Sequence, residues 1–481
     1  MDRGLRQFFD AHLLRWYPVV LLAGVGVSLA AGSPLQKFQQ QRWVEILLAV
    51  AVAVLAWCYR PAAARLLGRP LLSGWYGLGL IGFGGVALVG SALGPIPWIS
   101  LGFVGVVLLQ FGLLPLLVDG WRERRDEGIR LLALLAVALV GMDVGLWLVM
   151  HGFDLQPYAW MRRLSPSGQL EMETPYLFLN ARWANQVSLL LLWTFIPLLQ
   201  QLQQGVIRRQ RRFWWFVCWA VPLLCCTQVV LSEGDGALIA ILLALVGLLV
   251  QRGNVRAVQI LACCVAAAFA LSLLLNEGTL LLQFGQRAGS ELQQSLTAPP
   301  KGATLPTVYR LPYWLLYLRH VADAPLFGHG IPVIQAGSPV CTPHNIWVAL
   351  LYWTGLAGTG FALLLTTGFV PWSRQQWRQA SPMAMPLLVS LFVYQLVDDI
   401  WLRPLSLALL LVLLASLLPA DAPPLPEPAM VRRFTLCFEQ YRLLALLGVL
   451  LLCLSVAMPG GAGLGPSDLV SLPGQMCLLL F

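Results

Sequence analysis

The sequence predicts an all-α polytopic integral membrane protein of about 12–13 transmembrane helices, with a large outer loop that contains interfacial helices. Three observations predict it. Of 481 residues, 58% are hydrophobic and only 11% are charged, against roughly 25% charged in ordinary soluble domains. Mean hydropathy is +0.74. Apolar runs of about 20 residues, the length that crosses a bilayer core, recur along the whole chain. So few charges cannot cover a soluble protein of this size. The same composition excludes disorder, a disulfide-rich secreted scaffold and a nucleic-acid binder. The net charge of +9 is read through its distribution between loops.

In chain order the runs lie near 13–32, 43–59, 75–93, 96–118, 130–151, 186–203, 214–231, 236–251, 256–275, 344–371, 382–398, 403–420 and 441–458. Gly94 and Pro95 separate two of them as a tight hairpin turn. These runs divide the chain into N-terminal spans (1–151), central spans with an outer loop (152–275), a large loop (276–343), C-terminal spans (344–420) and an extra span with a tail (421–481).

The basic residues orient the chain. With the N-terminus in the cytoplasm, Arg3, Arg6, Arg15, Arg60, Arg65, Arg69, Arg122, Arg124, Arg125 and Arg130 fall inside. So do Arg208, Arg209, Arg211, Arg212, Arg252, Arg256, Arg374, Arg378, Arg432, Arg433 and Arg442, which makes twenty-one of the 31 basic residues. Six fall outside in short loops and four in the long loop, whose charge counts little. An odd number of spans then leaves the tail from Pro459 outside. Ser28-Leu-Ala30 imitates a signal-cleavage site, but its flank is long and contains Asp2 and Asp10, so an uncleaved first anchor is expected. Most of the ten cysteines sit in apolar runs without metal-ligand spacing. Cys341 and Cys477 both fall outside, where an oxidising periplasm permits a bridge.

Four of the five histidines, His151, His320, His329 and His344, fall outside or at the outer edge. The two sizeable extramembrane segments, 152–185 and 276–343, lie on that side too, so any chemistry is expected there. From Arg310 to Asp323, Leu311, Trp314, Leu315, Leu318 and Val321 recur at helical spacing, and Pro312 suits a first turn. This is an interfacial helix, either a plain cap on the bundle or a platform that turns Arg310 toward a lipid-borne phosphate. His344 and Asn345 stand where the loop enters a span, as a helix cap or as a site. Asp143 lies inside a span, where an acid marks a polar contact in the bundle or a functional group. Asp398 and Asp399, followed by Arg403, read as a local pair.

Pro325-Leu-Phe-Gly328, then Pro343-His-Asn-Ile-Trp347, then Thr354-Gly-Leu-Ala-Gly358 resemble the signature of the O-antigen ligase and polymerase superfamily. That superfamily includes lipopolysaccharide O-antigen ligases, O-antigen polymerases and pilin-type protein O-oligosaccharyltransferases. The Arg310–Trp314 pair before these motifs, and Phe178-Leu-Asn-Ala-Arg-Trp-Ala-Asn-Gln-Val187, are similar too. The likeness covers about 175–420. It implies transfer of a glycan from an undecaprenyl-diphosphate carrier to an acceptor hydroxyl at the periplasmic face of a bacterial inner membrane. The acceptor it suggests first is lipid A core, with a pilin or a growing O-antigen chain as alternatives.

The chain departs from the family where Ser232-Glu-Gly-Asp-Gly236 replaces a Ser-Arg-Gly-like turn, and where Thr342 replaces a histidine. What the resemblance implies for the site follows residue by residue. His344 is the expected catalytic base, kept neutral by the positive end of the following helix. Arg310 and Arg182 are the expected diphosphate-binding residues, since guanidinium pairs with phosphate oxygens. Asn345, Trp314, His329, Glu233 and Asp235 are expected to position substrate, with an ordinary solvated turn as the alternative for the two acids. Diphosphate is already a good leaving group, so no dedicated acid is needed; no cluster has metal-ligand spacing, and neither a metal nor a cofactor is expected. A transporter is the alternative from another class, and it calls for midplane charges and internal repeats. A structural membrane protein, with His-Asn as a cap only, is a second.

Overall fold

The computed structural model describes residues 74–94, 97–122, 125–152, 162–164, 170–172, 181–232, 234–250, 255–274, 310–331, 343–367, 381–398, 400 and 404–417. The expected spans near 13–32, 43–59 and 441–458, together with Cys341 and Cys477, lie outside the described residues. What is described is helical apart from one short antiparallel pair. The helices are α1 (Gly74–Leu93), α2 (Pro97–Arg122), α3 (Arg125–Gly152), α4 (Ala181–Leu192), α5 (Phe195–Gln203), α6 (Arg211–Leu231) and α7 (Asp235–Val250). They continue with α8 (Val255–Leu274), α9 (Arg310–Arg319), α10 (Ile346–Thr367), α11 (Ala384–Gln395) and α12 (Pro404–Leu417). A 3-10 turn, His320–Asp323, extends α9. Five of the described helices, α1, α3, α6, α8 and α10, are long and apolar enough to cross a membrane. The expected all-α membrane fold is therefore present.

The antiparallel pair, β1 (Arg162–Leu164) with β2 (Leu170–Met172), was not anticipated and sits in the 152–185 loop. A second difference concerns the run 186–203, expected as one helix. It breaks between α4 and α5 because Pro197 has no N–H to donate to Trp193. The backbone tightens there instead, with Ile196 N–H donating to the Trp193 carbonyl at 3.2 Å and Thr194 N–H to Leu191 at 3.1 Å.

Helix α1 packs against α10 and α7 against α11 as antiparallel pairs, while α8 packs against α6 and α2 against α12. Small residues allow the close approach of α1 and α10. A Cβ on Gly82 would enter the Phe361 ring, and one on Gly79 would meet the backbone of Leu365. The core is continuous, with Trp193, Trp353, Tyr317 and Phe195 among its largest fully buried side chains. Trp193 also donates its indole N–H to Ser390 Oγ at 2.9 Å, which links α4–α5 to α11. Facing outward are Phe216, Trp219, Val246, Leu249, Leu273 and Leu274. That much exposed apolar surface is stable against lipid chains rather than water. Cys218, Cys225, Cys226 and Cys264 are buried free thiols, consistent with their reading as small hydrophobes.

Helix α10 is broken at Gly355, whose φ of 62° is left-handed. The Pro-Leu-Phe-Gly loop fills the break. Leu356 N–H donates to the Pro325 carbonyl at 2.8 Å, and His329 and Gly330 N–H donate to Tyr352 and Trp353 carbonyls at 3.0 and 2.9 Å. Gly328 and Gly355 are required here twice over. Both have positive φ, and a Cβ on either would strike the backbone of the other segment. The loop thus satisfies backbone groups that an interrupted membrane helix must not leave bare.

Candidate functional site

One end of the bundle collects the start of α4, the C-terminus of α6, the start of α7, the start of α10 and the C-terminus of α11. Its centre is His344, one residue before the cap of α10. His344 has φ 49°, a left-handed conformation uncommon for a side chain of this size. The preceding chain is held by Trp314 on α9, whose indole donates to the Pro343 carbonyl at 2.8 Å. The following residue, Asn345, caps α10. Its Oδ1 accepts from Trp347 N–H at 3.0 Å and Val348 N–H at 3.2 Å, and its Nδ2 donates to the Leu396 carbonyl at 3.1 Å. Both ends of Asn345 are therefore engaged: it fixes the helix start and ties it to the turn after α11.

Arg182 and Asp398, from two other segments of the bundle, meet the imidazole. Arg182, the second residue of α4, places Nη1 2.9 Å from His344 Nε2 and 3.1 Å from Nδ1. Asp398, just after α11, places Oδ1 3.8 Å from Nδ1. A guanidinium can only donate. The tautomer that serves both neighbours carries its proton on Nδ1, toward Asp398, and leaves the Nε2 lone pair to Arg182.

Asp398 is itself held. Its Oδ2 accepts from Gln186 Nε2 at 3.2 Å and from Tyr394 Oη at 3.0 Å. Gln186 Oε1 in turn accepts from Ser406 Oγ at 2.5 Å. Gln186, Tyr394, Asp398 and Ser406 are all buried. This chain of polar groups joins α4, α11 and α12 behind the histidine, and a satisfied buried network of this kind restricts its members to one arrangement.

The Ser232-Glu-Gly-Asp-Gly236 turn borders the same place. Ser232 Oγ donates to Asn185 Oδ1 at 2.6 Å. A Cβ on Gly234 would lie 2.5 Å from Asn185 Nδ2, and one on Gly236 would lie 2.5 Å from Val397 Cγ2. Asn185 is three residues beyond Arg182, and Val397 adjoins Asp398. The turn is thus pressed between the two segments that supply the histidine's partners.

Of the residues singled out in sequence, His344, Arg182, Asn345 and Trp314 come together. Arg310 is the first residue of α9, four residues before Trp314; its side chain lies outside the described residues, as do Glu233 and the side chain of Asp235. His329 stands apart. It stacks on Tyr352 with ring centroids 4.4 Å apart, and its Nε2 meets the His320 carbonyl at 2.9 Å. Tyr352 is eight residues past His344, about two helical turns.

Sequence reasoning missed Asp398 and Gln186 as site residues. Asp398 had been assigned to a local pair with Arg403, which lies outside the described residues. The usable signal was an acid at the very end of an apolar run, one turn after Tyr394. Gln186 carries no such signal. Among the described residues, no group of three or more His, Cys, Asp or Glu is placed to hold a metal ion. No protein-family model matches this chain, and no curated protein matches it.

Proposed function

We propose that the protein is a membrane glycosyltransferase that moves a glycan from an undecaprenyl-diphosphate carrier to an acceptor hydroxyl. The convergence of Arg182 and Asp398 on the His344 imidazole carries this reading. It supplies one base, one group that orients it, and one cation for a departing phosphate. The resemblance of the 325–358 motifs to O-antigen ligases and their relatives supports the same assignment.

In this mechanism the acceptor oxygen attacks the anomeric carbon while Nε2 of His344 takes its proton. The bond from that carbon to the diphosphate oxygen breaks, with inversion, and the diphosphate leaves with the electron pair. Asp398 faces Nδ1–H and stabilises the imidazolium that forms. Arg182 occupies the Nε2 lone pair before the donor binds. A diphosphate draws the guanidinium away, because charge-assisted bonds to phosphate are stronger than one to a neutral ring. Donor binding then uncovers the base. Arg310, at the start of α9, is assigned to the same diphosphate. Trp314, Asn345 and His329, with Glu233 and Asp235 beside the site, position substrate or the segments that hold it. The reading requires no metal.

The proposed setting is a bacterial inner membrane with a cytoplasmic N-terminus and a periplasmic site, and lipid A core is the first acceptor proposed. The test uses purified protein with undecaprenyl-diphosphate-linked glycan and each acceptor class in turn. Transfer to lipid A core that is abolished in H344A supports the reading. Transfer to a pilin or to a second lipid-linked glycan reassigns the acceptor. Unimpaired transfer by a folded H344A protein overturns the base assignment.

A further inference from the structure

The end of the bundle opposite His344 carries a second concentration of charge. The hydrogen bond from Ser232 to Asn185 places the C-terminus of α6 at the histidine end. With 21 residues at about 1.5 Å each, α6 is about 30 Å long, so its N-terminus lies at the far membrane interface. Arg208, Arg209, Arg211 and Arg212 are gathered there within five residues, and all four are exposed.

No Asp or Glu occurs between Glu173 and Glu233. Asp126 and Glu127, which begin the neighbouring α3 at the same end, are exposed. Among the described residues, none of these arginine side chains has a hydrogen-bond or ion-pair partner. Arg211 and Arg212 also occupy the first turn of α6, the positive end of its dipole. Four like charges on a positive helix end repel one another unless an anion lies among them.

The segment is built rather than loose. Ile207 is 3% exposed and anchors the loop between α5 and α6. Gln204 and Val206 N–H donate to Gln200 and Gln201 carbonyls at 2.9 and 3.0 Å. Gly205 and Gln210 turn the chain with φ of 71° and 56°. Directly beyond the arginines, Phe213, Phe216 and Trp219 are exposed by 45, 63 and 44%, and Phe213 is braced edge-on against Trp214 at 5.3 Å. Exposed aromatics one to two turns from a cluster of guanidiniums match the depth profile of a leaflet, with acyl boundary below and headgroups above.

We propose that Arg208, Arg209, Arg211 and Arg212, backed by Phe213, Phe216 and Trp219, form a binding surface for anionic glycerophospholipid headgroups of the leaflet opposite the His344 site. The guanidiniums pair with the phosphodiester and its neighbours, and the rings pack along the acyl chains. An arginine cluster that served only to orient the chain during insertion would need no fixed loop and no adjoining aromatic surface.

Native mass spectrometry of the full-length protein in detergent, titrated with dioleoyl phosphatidylglycerol and separately with dioleoyl phosphatidylcholine, tests this. Wild type is expected to retain phosphatidylglycerol selectively, and each arginine changed to Gln should lower its affinity about fivefold. R208Q/R209Q/R211Q/R212Q should lose the selectivity, while R256Q, at the start of α8, keeps it. If the quadruple variant does not accumulate, R209Q/R212Q is measured instead, with a loss of about 25-fold expected. Phosphatidylglycerol affinity equal to wild type in either variant overturns the proposal. So does displacement of the lipid by millimolar inorganic phosphate, which would mark a site for free anions.

Discussion

Among the described residues, the end of the bundle that carries His344 holds two histidine–aspartate pairs, and they differ in nearly everything except composition. His320 and Asp323 are three residues apart in one turn, in contact at 2.7 Å, and their side chains are 37 and 61% exposed. His344 and Asp398 come from different helices, stand 3.8 Å apart, and are 12 and 4% exposed. Distance alone would rank the first pair higher. Water screens that pair, however, and an exposed ion pair of this kind contributes only about 0–1 kcal/mol. The second pair is fixed by Gln186, Tyr394 and Ser406, and it has Arg182 on its open side. What distinguishes a site from a surface contact here is how many separate elements over-determine the geometry.

Four predictions sharpen or break that contrast. The largest effect is expected from H344A, which should lower glycan transfer about 10²–10⁴-fold while leaving accumulation in the membrane unchanged. H320A should leave the rate as it is, and equal losses in the two variants would erase the distinction. D398N is expected to lower transfer by about 10–100-fold, less than in a directly hydrogen-bonded triad, because 3.8 Å exceeds hydrogen-bond length. D323N is its control, and a D398N enzyme with the wild-type rate would show that Asp398 does not act through His344.

Third, Q186L should remove a donor to Asp398 and strand the Ser406 hydroxyl. About 1–3 kcal/mol of stability should be lost, read as a lower midpoint of thermal aggregation in detergent; an unchanged midpoint would argue that the network is not held as described. The smallest effect is expected from H320A/D323A, at about 1 kcal/mol or less by the same measurement. A larger drop would mean that the rim pair supports α9 and hence the His344 segment.

Much of the fold was legible. The described helices α1 to α3, α6 to α8 and α10 to α12 fall within a few residues of the apolar runs, because a bilayer rewards uninterrupted apolar length and little else. The break at Trp193–Thr194 was readable in principle from Pro197, but Pro is common enough in membrane helices that its presence alone does not force one. At the site, His344 and Asn345 stood out because polar residues are scarce at span ends, and Arg182 and Trp314 through the resemblance of their segments to the family's motifs. Asp398 was visible but assigned to Arg403, its near neighbour, since sequence offers local partners first. Gln186 was one amide among many.

By itself the sequence determined that this chain lives in a membrane, where its helices run, and that polar chemistry gathers at the ends of a few of them. Each of those follows from composition and period, which act within a single segment. Only the tertiary structure decided which ends meet. It brought Arg182 of α4 and Asp398 after α11 to His344 before α10, and Gln186 and Ser406 to Asp398 behind it. Those juxtapositions arise from helix packing and from hydrogen bonds between residues far apart in the chain, which no local pattern encodes.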